Sequence, residues 1–281
     1  MEKCIDKEMP LFGRVSYKRC VECNFLYSDH IEKSSKEFVT KYYKSQSFDQ
    51  DDPGYKSRAK TALLGLIAIC NKLKLNLNDI SVLDYGCGEG LFVSNCHDIG
   101  IRAFGFDPYY IQESKKNNDN YFYGEDKLIN LKEKFDFVTC FEVVEHAITP
   151  EIFRRLLDLC KPNGYLYFST GMYIKSLHDS GWEYLVPAHC SIYSVSSLEV
   201  LAGNYSATRL GLVRQPFVDI SYMLTGELWL NGNRLTNNQM NSEKTLKIDF
   251  WYSRMNTLFK GRFIKIFAKF FYKNSVFISA S

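Results

Sequence analysis

Residues 82–90 read Val-Leu-Asp-Tyr-Gly-Cys-Gly-Glu-Gly, and they restrict the chain more than any other stretch. The apolar run Ser81–Tyr85 has the length of a buried strand, and Gly86 cuts it. Gly86, Gly88 and Gly90 alternate with other residues, and a helical pattern opens at Leu91. Glycine takes positive φ without steric cost and lets a ligand approach the main chain closely. A strand that turns through glycines into a helix leaves the helix's first N–H groups open to an electron-rich ligand. Asp107, about 20 residues further on, ends the next strand pattern, Ile101–Phe106, where a carboxylate can accept hydrogen bonds from both hydroxyls of a ribose. The spacing is G-x-G-x-G. A dinucleotide fingerprint, G-x-G-x-x-G, needs a small residue where Leu91 stands.

The rest of the chain alternates in the same way. Tyr55–Leu75 reads as a helix, with Ala59, Leu63, Leu66, Ile67, Cys70 and Leu73 at helical spacing. Leu91–Ile99 is a second helix, stopped by Gly100. Asn120–Glu125, Phe135–Glu142 and Tyr165–Thr170 read as strands. Between the last two, Thr149-Pro150-Glu151 gives a cap residue, a first-position proline and an acid. Ile152, Phe153, Leu156, Leu157 and Cys160 supply that helix's apolar face, and Pro162-Asn163-Gly164 ends it. Ser196 and Glu199 have capping-box spacing, so Ser196–Leu201 is expected to open a further helix, which Gly203 stops. Strands alternating with helices predict an α/β fold with a parallel sheet covered on both faces. Ala207–Arg214 and Ser275–Ala280 read as later strands, and the long stretch between them as an inserted lid.

Composition narrows the class. A chain of 281 residues, 46% hydrophobic and 24% charged, has enough apolar surface to fold, which excludes a disordered polymer. No apolar run approaches the roughly 20 residues of a membrane span. A net charge of +3 is too balanced to argue for nucleic acid by itself. The start, MEKCIDKEMP, has no apolar core of a secretory signal. The expectation is a cytoplasmic protein whose nine cysteines are thiols or metal ligands rather than disulfides.

The runs VLDYGCGEG, GFDPYY, FDFVTCFEVVEH and LCKPNGYLYFST, in that order over about Tyr55 to Thr208, resemble class I S-adenosylmethionine-dependent methyltransferases. The resemblance implies a Rossmann-like seven-stranded sheet with a last antiparallel hairpin. It implies that Gly86, Cys87 and Gly88 line the methionine portion of S-adenosylmethionine, with Asp84 holding the loop, and that Asp107 binds the ribose hydroxyls. Glu125 or Asp126 would face the adenine amino group; the family's commoner Gly-Asp pair is replaced by Gly124-Glu125-Asp126, and both stay open. Phe141 would lie beside the sulfonium. The implied chemistry is SN2 displacement at a methyl carbon, for which the protein mainly aligns the nucleophile and excludes water.

Glu142, Glu145 and His146 share a face if a helical turn follows the fourth strand, and a second histidine, His189, follows later. Two carboxylates and two imidazoles suit Mg, Mn, Fe or Zn. The pattern E-x-x-E-H with a later His is similar to ubiquinone-type O-methyltransferases and to small-RNA 3′-end 2′-O-methyltransferases. Both resemblances imply a divalent cation that holds acceptor hydroxyls and eases their deprotonation. Metal-free relatives carry similar pairs, so a general-base role for His146 or His189, with Glu145 capping a turn, stands beside the metal reading. His97 and His178 are read as structural.

Around Cys20-Val21-Glu22-Cys23 the chain looks like one knuckle of a zinc ribbon, a segment that some sugar and small-metabolite methyltransferases carry. Four ligands are usual, and Cys4 stands alone, with His30 as a further candidate. The expectation is a degenerate ribbon without zinc at Cys4, Cys20 and Cys23, followed by Tyr42 and Tyr43 where relatives cover the cofactor. Phe259, Phe263, Ile264, Phe267, Phe270 and Phe271 interleave with Lys260, Arg262, Lys265, Lys269 and Lys273. That helix is read as packing on its own sheet with lysines in water, ahead of an anionic membrane or a phosphate backbone. Trp229, Trp251 and Tyr252 could line an acceptor pocket.

The expected organisation is an N-terminal extension over 1–54, a cofactor-binding core over 55–216, an insertion or acceptor lid over 217–273 and a last core strand over 274–281. The first functional expectation is O-methylation of a hydroxylated small molecule such as a sugar or nucleotide-linked sugar. The alternatives are a ribose 2′-O-methyltransferase of RNA, which the near-neutral charge disfavours, and a cofactor-binding scaffold without catalysis.

Overall fold

The computed structural model describes residues 3–9, 13–28, 53–108, 119–122, 128, 134–176, 178, 180–214 and 224–232. Its centre is the strand β4, Ser81–Tyr85, every residue of which is buried. A strand covered on both faces needs no polar side, hence its continuous apolar run. It pairs in parallel with β5 (Arg102–Phe106) and β7 (Phe135–Phe141). Beyond β5 lies β6, Tyr121–Phe122, and beyond β7 lies β8, Cys160–Gly171, all still parallel. The sheet ends in an antiparallel pair, β10 (Ala207–Arg214) and β11 (Leu224–Asn231), with β11 inserted between β8 and β10. The order β10-β11-β8-β7-β4-β5-β6 gives seven strands. The chain runs outward from β4 through β5 and β6, then returns to β7. The crevice beyond the carboxyl ends of β4 and β7 therefore lies at a topological switch point, where ligands bind in open α/β sheets.

Period-2 alternation divides the core between the two faces. Val82, Phe137, Tyr167 and Leu228 face α1 (Pro53–Leu73) and α2 (Leu91–Asp98). Leu83, Val138, Leu166, Phe168 and Trp229 face α3 (Glu151–Leu159) and α4 (Val195–Asn204). Residues 61–70 of α1 are mostly apolar and buried, a wider stripe than the predicted face. Gly65 brings α1 against the sheet: a Cβ there would lie 2.1 Å from the Tyr167 hydroxyl.

Several sequence expectations shift. The helix α3 starts at Glu151 with Pro150, not Thr149, at its cap position. The capping box of α4 is Ser194 with Ser197 rather than Ser196 with Glu199. Ser194 is extended, and its hydroxyl accepts from the Ser197 N–H at 3.1 Å. Gly203 lies inside α4, not beyond it. β11 falls inside the span read as an inserted lid, yet it is core sheet. Trp229 is accordingly fully buried, stacked at 4.9 Å on Phe153 and edge-on to Phe168 at 5.3 Å, and lines no acceptor pocket. Glu227 and Arg209 pair β11 to β10 through two bonds, 2.7 and 3.0 Å, a bidentate geometry that offsets burial of both charges. His30, Tyr42, Tyr43, Trp251, Tyr252, Ser275–Ala280 and the aromatic and basic run from Phe259 to Lys273 lie outside the described residues.

At the N-terminus, β1 (Lys3–Met9), β2 (Gly13–Arg19) and β3 (Leu26–Ser28) form an antiparallel sheet that β9, Ser191–Ile192, completes. The hairpin is tied to the segment before β9. Tyr17 donates to the Val186 carbonyl at 2.6 Å, and the Ser28 N–H to the Cys190 carbonyl at 2.9 Å. Val15, Tyr17 and Leu26 share an apolar cluster with Tyr173, Trp182, Tyr184, Leu185 and Ile192.

Candidate active site

The loop after β4 has the backbone that its glycines allow. Gly86, Gly88 and Gly90 have φ of 81°, 51° and 75°, values that side chains disfavour. A Cβ on Gly86 would also lie 2.4 Å from the Val143 side chain. The loop is tied to β5: the N–H groups of Gly86 and Cys87 donate to the Phe106 carbonyl at 2.7 and 3.0 Å. Asp107 Oδ2 accepts from the Gly88 N–H at 2.9 Å. Cys87 is buried, and Gly105 leaves room for its sulfur.

Asp84 lies below this loop and is expected to hold it, but its bond runs sideways: Thr139 of β7 donates to Oδ1 at 2.8 Å. Burial pushes its pKa from 3.8 up to about 7, against the Thr139 bond and helped by the negative charge of Asp107. Phe141 ends β7, edge-on to Phe92 at 5.3 Å and to Tyr167 at 5.1 Å. Glu125 and Asp126 lie outside the described residues.

Beyond β7 the chain turns sharply. Glu142 has φ of 55°, a strained conformation for a side-chain-bearing residue, and Val144–His146 form a 3-10 turn. That turn brings Glu145 and His146 against His189. One ligand atom from each of these three lies within 4.8 Å of the others, the one cation-competent group of at least three such side chains among the described residues. Glu142, the fourth candidate, is outside that group. Its Oε1 accepts from Ser169 at 2.8 Å. Burial and the neighbouring charge of Glu145 push its pKa well up, against the Ser169 bond and the Arg58 guanidinium.

Both imidazoles are held by the same device. His146 Nδ1 lies 2.9 Å from the Ala188 carbonyl, and His189 Nδ1 lies 2.7 Å from the Tyr184 carbonyl. A carbonyl oxygen only accepts, so each Nδ1 carries a proton, and in the neutral ring the lone pair is on Nε2. Such bonds orient histidines as metal ligands or as proton acceptors. Burial, then the adjacent His146, holds the pKa of His189 well below the usual range, so this imidazole is neutral near pH 7. The rings meet edge to face with centroids 4.8 Å apart.

Tyr184 escaped the sequence reading. It is buried, and its hydroxyl donates to Glu145 Oε1 at 2.7 Å while accepting from the Gly171 N–H at 2.8 Å. Gly171 is required there, since a Cβ would lie 2.4 Å from the tyrosine ring. Nothing in the sequence pattern around it marked it; a glycine ending β8 was the available hint. His97 bonds the Ala103 carbonyl at 2.8 Å, and His178 stacks on Trp182 at 3.9 Å.

Cys20 and Cys23 lie in the turn between β2 and β3, both partly exposed. Backbone N–H groups of Cys23 and Glu22 lower the pKa of the Cys20 thiol. Across the strands, β1 places Cys4 opposite Lys18. The described ligand groups around Cys20 and Cys23 form no set of three.

A parallel sheet with a positive-φ glycine loop after its central strand, an acid after the next strand and an acid-histidine cluster after the fourth defines an α/β enzyme of the nucleoside-cofactor type. Comparison with known proteins specifies it further. Residues 55–206 match the family described as a methyltransferase domain, and the chain belongs to that family. The family and the Rossmann-like fold are those of class I S-adenosylmethionine-dependent methyltransferases. A ubiquinone biosynthesis O-methyltransferase of Bradyrhizobium diazoefficiens is 32% identical over an alignment covering 37% of this chain and 47% of that protein. The chain thus spans about half of that relative. One of the same name from Shewanella sp. (strain ANA-3) is 27% identical over 56% of this chain and 84% of the relative. Among solved structures, the fold is similar to Burkholderia thailandensis 1,6-didemethyltoxoflavin-N1-methyltransferase, solved with 1,6-didemethyltoxoflavin and S-adenosylhomocysteine. The TM-score is 0.50 and the identity 16%, covering 78% of this chain and 96% of that one. Among the described residues no helix is long and apolar enough to cross a membrane.

Proposed function

We propose that the chain transfers the methyl group of S-adenosylmethionine to a hydroxyl of a small molecule, and that Glu145, His146 and His189 hold a divalent cation beside that hydroxyl. The loop 86–88 and Asp107 receive the cofactor, and Phe141 closes the space next to its sulfonium. The observation that supports the cation is the pairing of two Nδ1-anchored imidazoles with a buried carboxylate, all within 4.8 Å. Mixed nitrogen and oxygen donors suit Zn, Fe or Mn better than Mg. A cation bound there would lower the pKa of an acceptor hydroxyl.

The protein's own groups do the rest. The rigid strand ends of β4 and β7 fix the distance between cofactor and acceptor, which is what an in-line displacement needs most. In this reading Glu142, whose Oε1 accepts from Ser169, holds a proton near the acceptor. The acceptor class is a hydroxylated small molecule, with a sugar or nucleotide-linked sugar first. The relatives named ubiquinone biosynthesis O-methyltransferase add a quinol as the second class to try.

The test is S-adenosylhomocysteine release with sugars, nucleotide sugars and quinols, before and after chelation, with Mn, Fe, Zn or Mg restored. Turnover that chelator abolishes and one of these ions restores is expected. Chelator-resistant turnover, unchanged by Glu145→Gln, would leave His146 or His189 as the general base instead.

A further inference from the structure

One residue touches two members of the proposed ligand set by two different groups. The hydroxyl of Tyr184 donates to Glu145 Oε1 at 2.7 Å, and its main-chain carbonyl accepts from His189 Nδ1 at 2.7 Å. Its ring also packs on the His189 ring, with centroids 4.2 Å apart, and on Trp182 at 5.2 Å. Resting on the cation reading, we propose that Tyr184 is a positioning residue that fixes the orientation of both Glu145 and His189 and thereby sets the affinity and geometry of the cation site.

Hydrogen-bond valence supports this. A phenol has one proton to give. The Gly171 N–H already donates to the phenol oxygen at 2.8 Å, so the proton must go to an acceptor. Glu145 Oε1 at 2.7 Å is much the better one; Glu142 Oε2 stands at 3.4 Å. The other oxygen, Glu145 Oε2, accepts from Thr170 at 3.1 Å. Both oxygens of Glu145 are thus held from the β8 side, which fixes the carboxylate plane and leaves its remaining lone pairs for the histidine side. Glu142 takes its shorter bond from Ser169 through its other oxygen, at 2.8 Å, and falls outside the three-residue group. Tyr184 therefore selects which of two neighbouring carboxylates serves as the ligand. The N-terminal hairpin supports that choice, because Tyr17 and Leu26 pack in the same cluster as Tyr184.

Tyr184→Phe removes only the hydroxyl; the ring and the carbonyl to His189 stay. The experiment titrates Mn2+ by electron paramagnetic resonance into the whole protein and its Tyr184→Phe, Thr170→Val and Glu145→Gln variants. Co2+ absorption reports the coordination geometry, and calorimetry measures S-adenosylmethionine affinity in parallel. Losing such a supporting bond lowers metal affinity about 10–100-fold. That loss is expected in Tyr184→Phe, with an altered Co2+ spectrum and unchanged cofactor affinity. Thr170→Val, which removes the bond on the other oxygen, is expected to weaken Mn2+ in the same direction. Equal Mn2+ affinity and an identical Co2+ spectrum in wild type and Tyr184→Phe would overturn the positioning role while the cation reading stands. An equal loss of cofactor and metal affinity would show a merely structural tyrosine and also overturn it. A wild type that binds the cofactor but neither Mn2+ nor Co2+ would end the cation reading, and the role of Tyr184 with it.

Discussion

Asp84→Asn separates the electrostatics of the cofactor loop from its packing. Asp84 is buried, and its pKa is raised from 3.8 to about 7, chiefly by burial. The folded protein therefore holds this proton more tightly than the unfolded chain does. Between about pH 4 and pH 7 the fold binds more protons, so its stability falls as pH rises through that window; the loss is complete above about pH 7. At about 1.4 kcal/mol per pH unit, the whole effect is about 4 kcal/mol, a ceiling that local relaxation reduces. Asparagine cannot titrate, and its carbonyl can still accept from Thr139. Its amide protons lack an assigned acceptor, which costs about 1–3 kcal/mol at every pH. The informative quantity is therefore the slope, not the offset. Urea unfolding of both proteins at half-unit steps from pH 4 to pH 8 gives it. Asp84→Asn is expected to gain stability over wild type steadily up to about pH 7 and then level off. Other groups, such as His189, whose depressed pKa makes stability rise with pH below its usual range, are common to both proteins and cancel in the difference. A difference that stays flat across the window would refute the burial argument.

Gly65→Ala places a methyl 2.1 Å from the Tyr167 hydroxyl and is expected to cost about 1–3 kcal/mol. In a double-mutant cycle with Tyr167→Phe, measured by denaturation, much of that cost should vanish; no coupling would mean that α1 does not pack there. Asp107→Ala removes the acceptor of the Gly88 N–H and the proposed ribose ligand, so calorimetry should show S-adenosylmethionine affinity down about 10–100-fold, and an unchanged value would cancel that assignment. Glu142→Gly should be more stable than Glu142→Ala by about 1 kcal/mol, since both lose the carboxylate but only glycine relieves a φ of 55°; equal stabilities would show that the position is unstrained.

What the sequence made legible follows from how local each cause is. The loop 86–90 could be read because glycine is the only residue that takes those three positive φ values cheaply, a property each position carries alone. The strands β4 and β7 could be read because burial on both faces removes the polar half of the pattern, and β8 only from Tyr165 on, since Cys160–Gly164, partly exposed, read as the end of the preceding helix. β11 could not. The sequence Leu-Thr-Gly-Glu-Leu-Trp-Leu-Asn hides its alternation, because Glu227 points into the core and is neutralised there by Arg209, 18 residues away. A buried charge with a remote partner reads locally as a surface position. The capping box of α4 moved by two residues because Ser194, Ser196 and Ser197 offer equivalent hydroxyls; only the backbone angles decide between them.

The candidate site divides along the same line. Glu145 and His146 are adjacent in one turn, so their proximity follows from the sequence alone, whereas the helical spacing that would have added Glu142 is replaced by a short 3-10 turn. His189 and Tyr184 reach that face because the N-terminal hairpin clamps residues 182–192 against it, through Tyr17 to Val186 and Ser28 to Cys190. Those contacts join residues more than 150 positions apart, and no periodicity encodes them. They also explain why the cluster is held so fully. A carboxylate with both oxygens bonded and two imidazoles with both Nδ1 atoms bonded cannot reorient without breaking several buried hydrogen bonds, each costly to leave unmade. The rigidity that a methyl transfer demands between donor and acceptor thus comes from two sources. In the proposed function, the strand ends of the central sheet supply it at the glycine loop, and the small N-terminal sheet supplies it at the Glu145, His146 and His189 cluster.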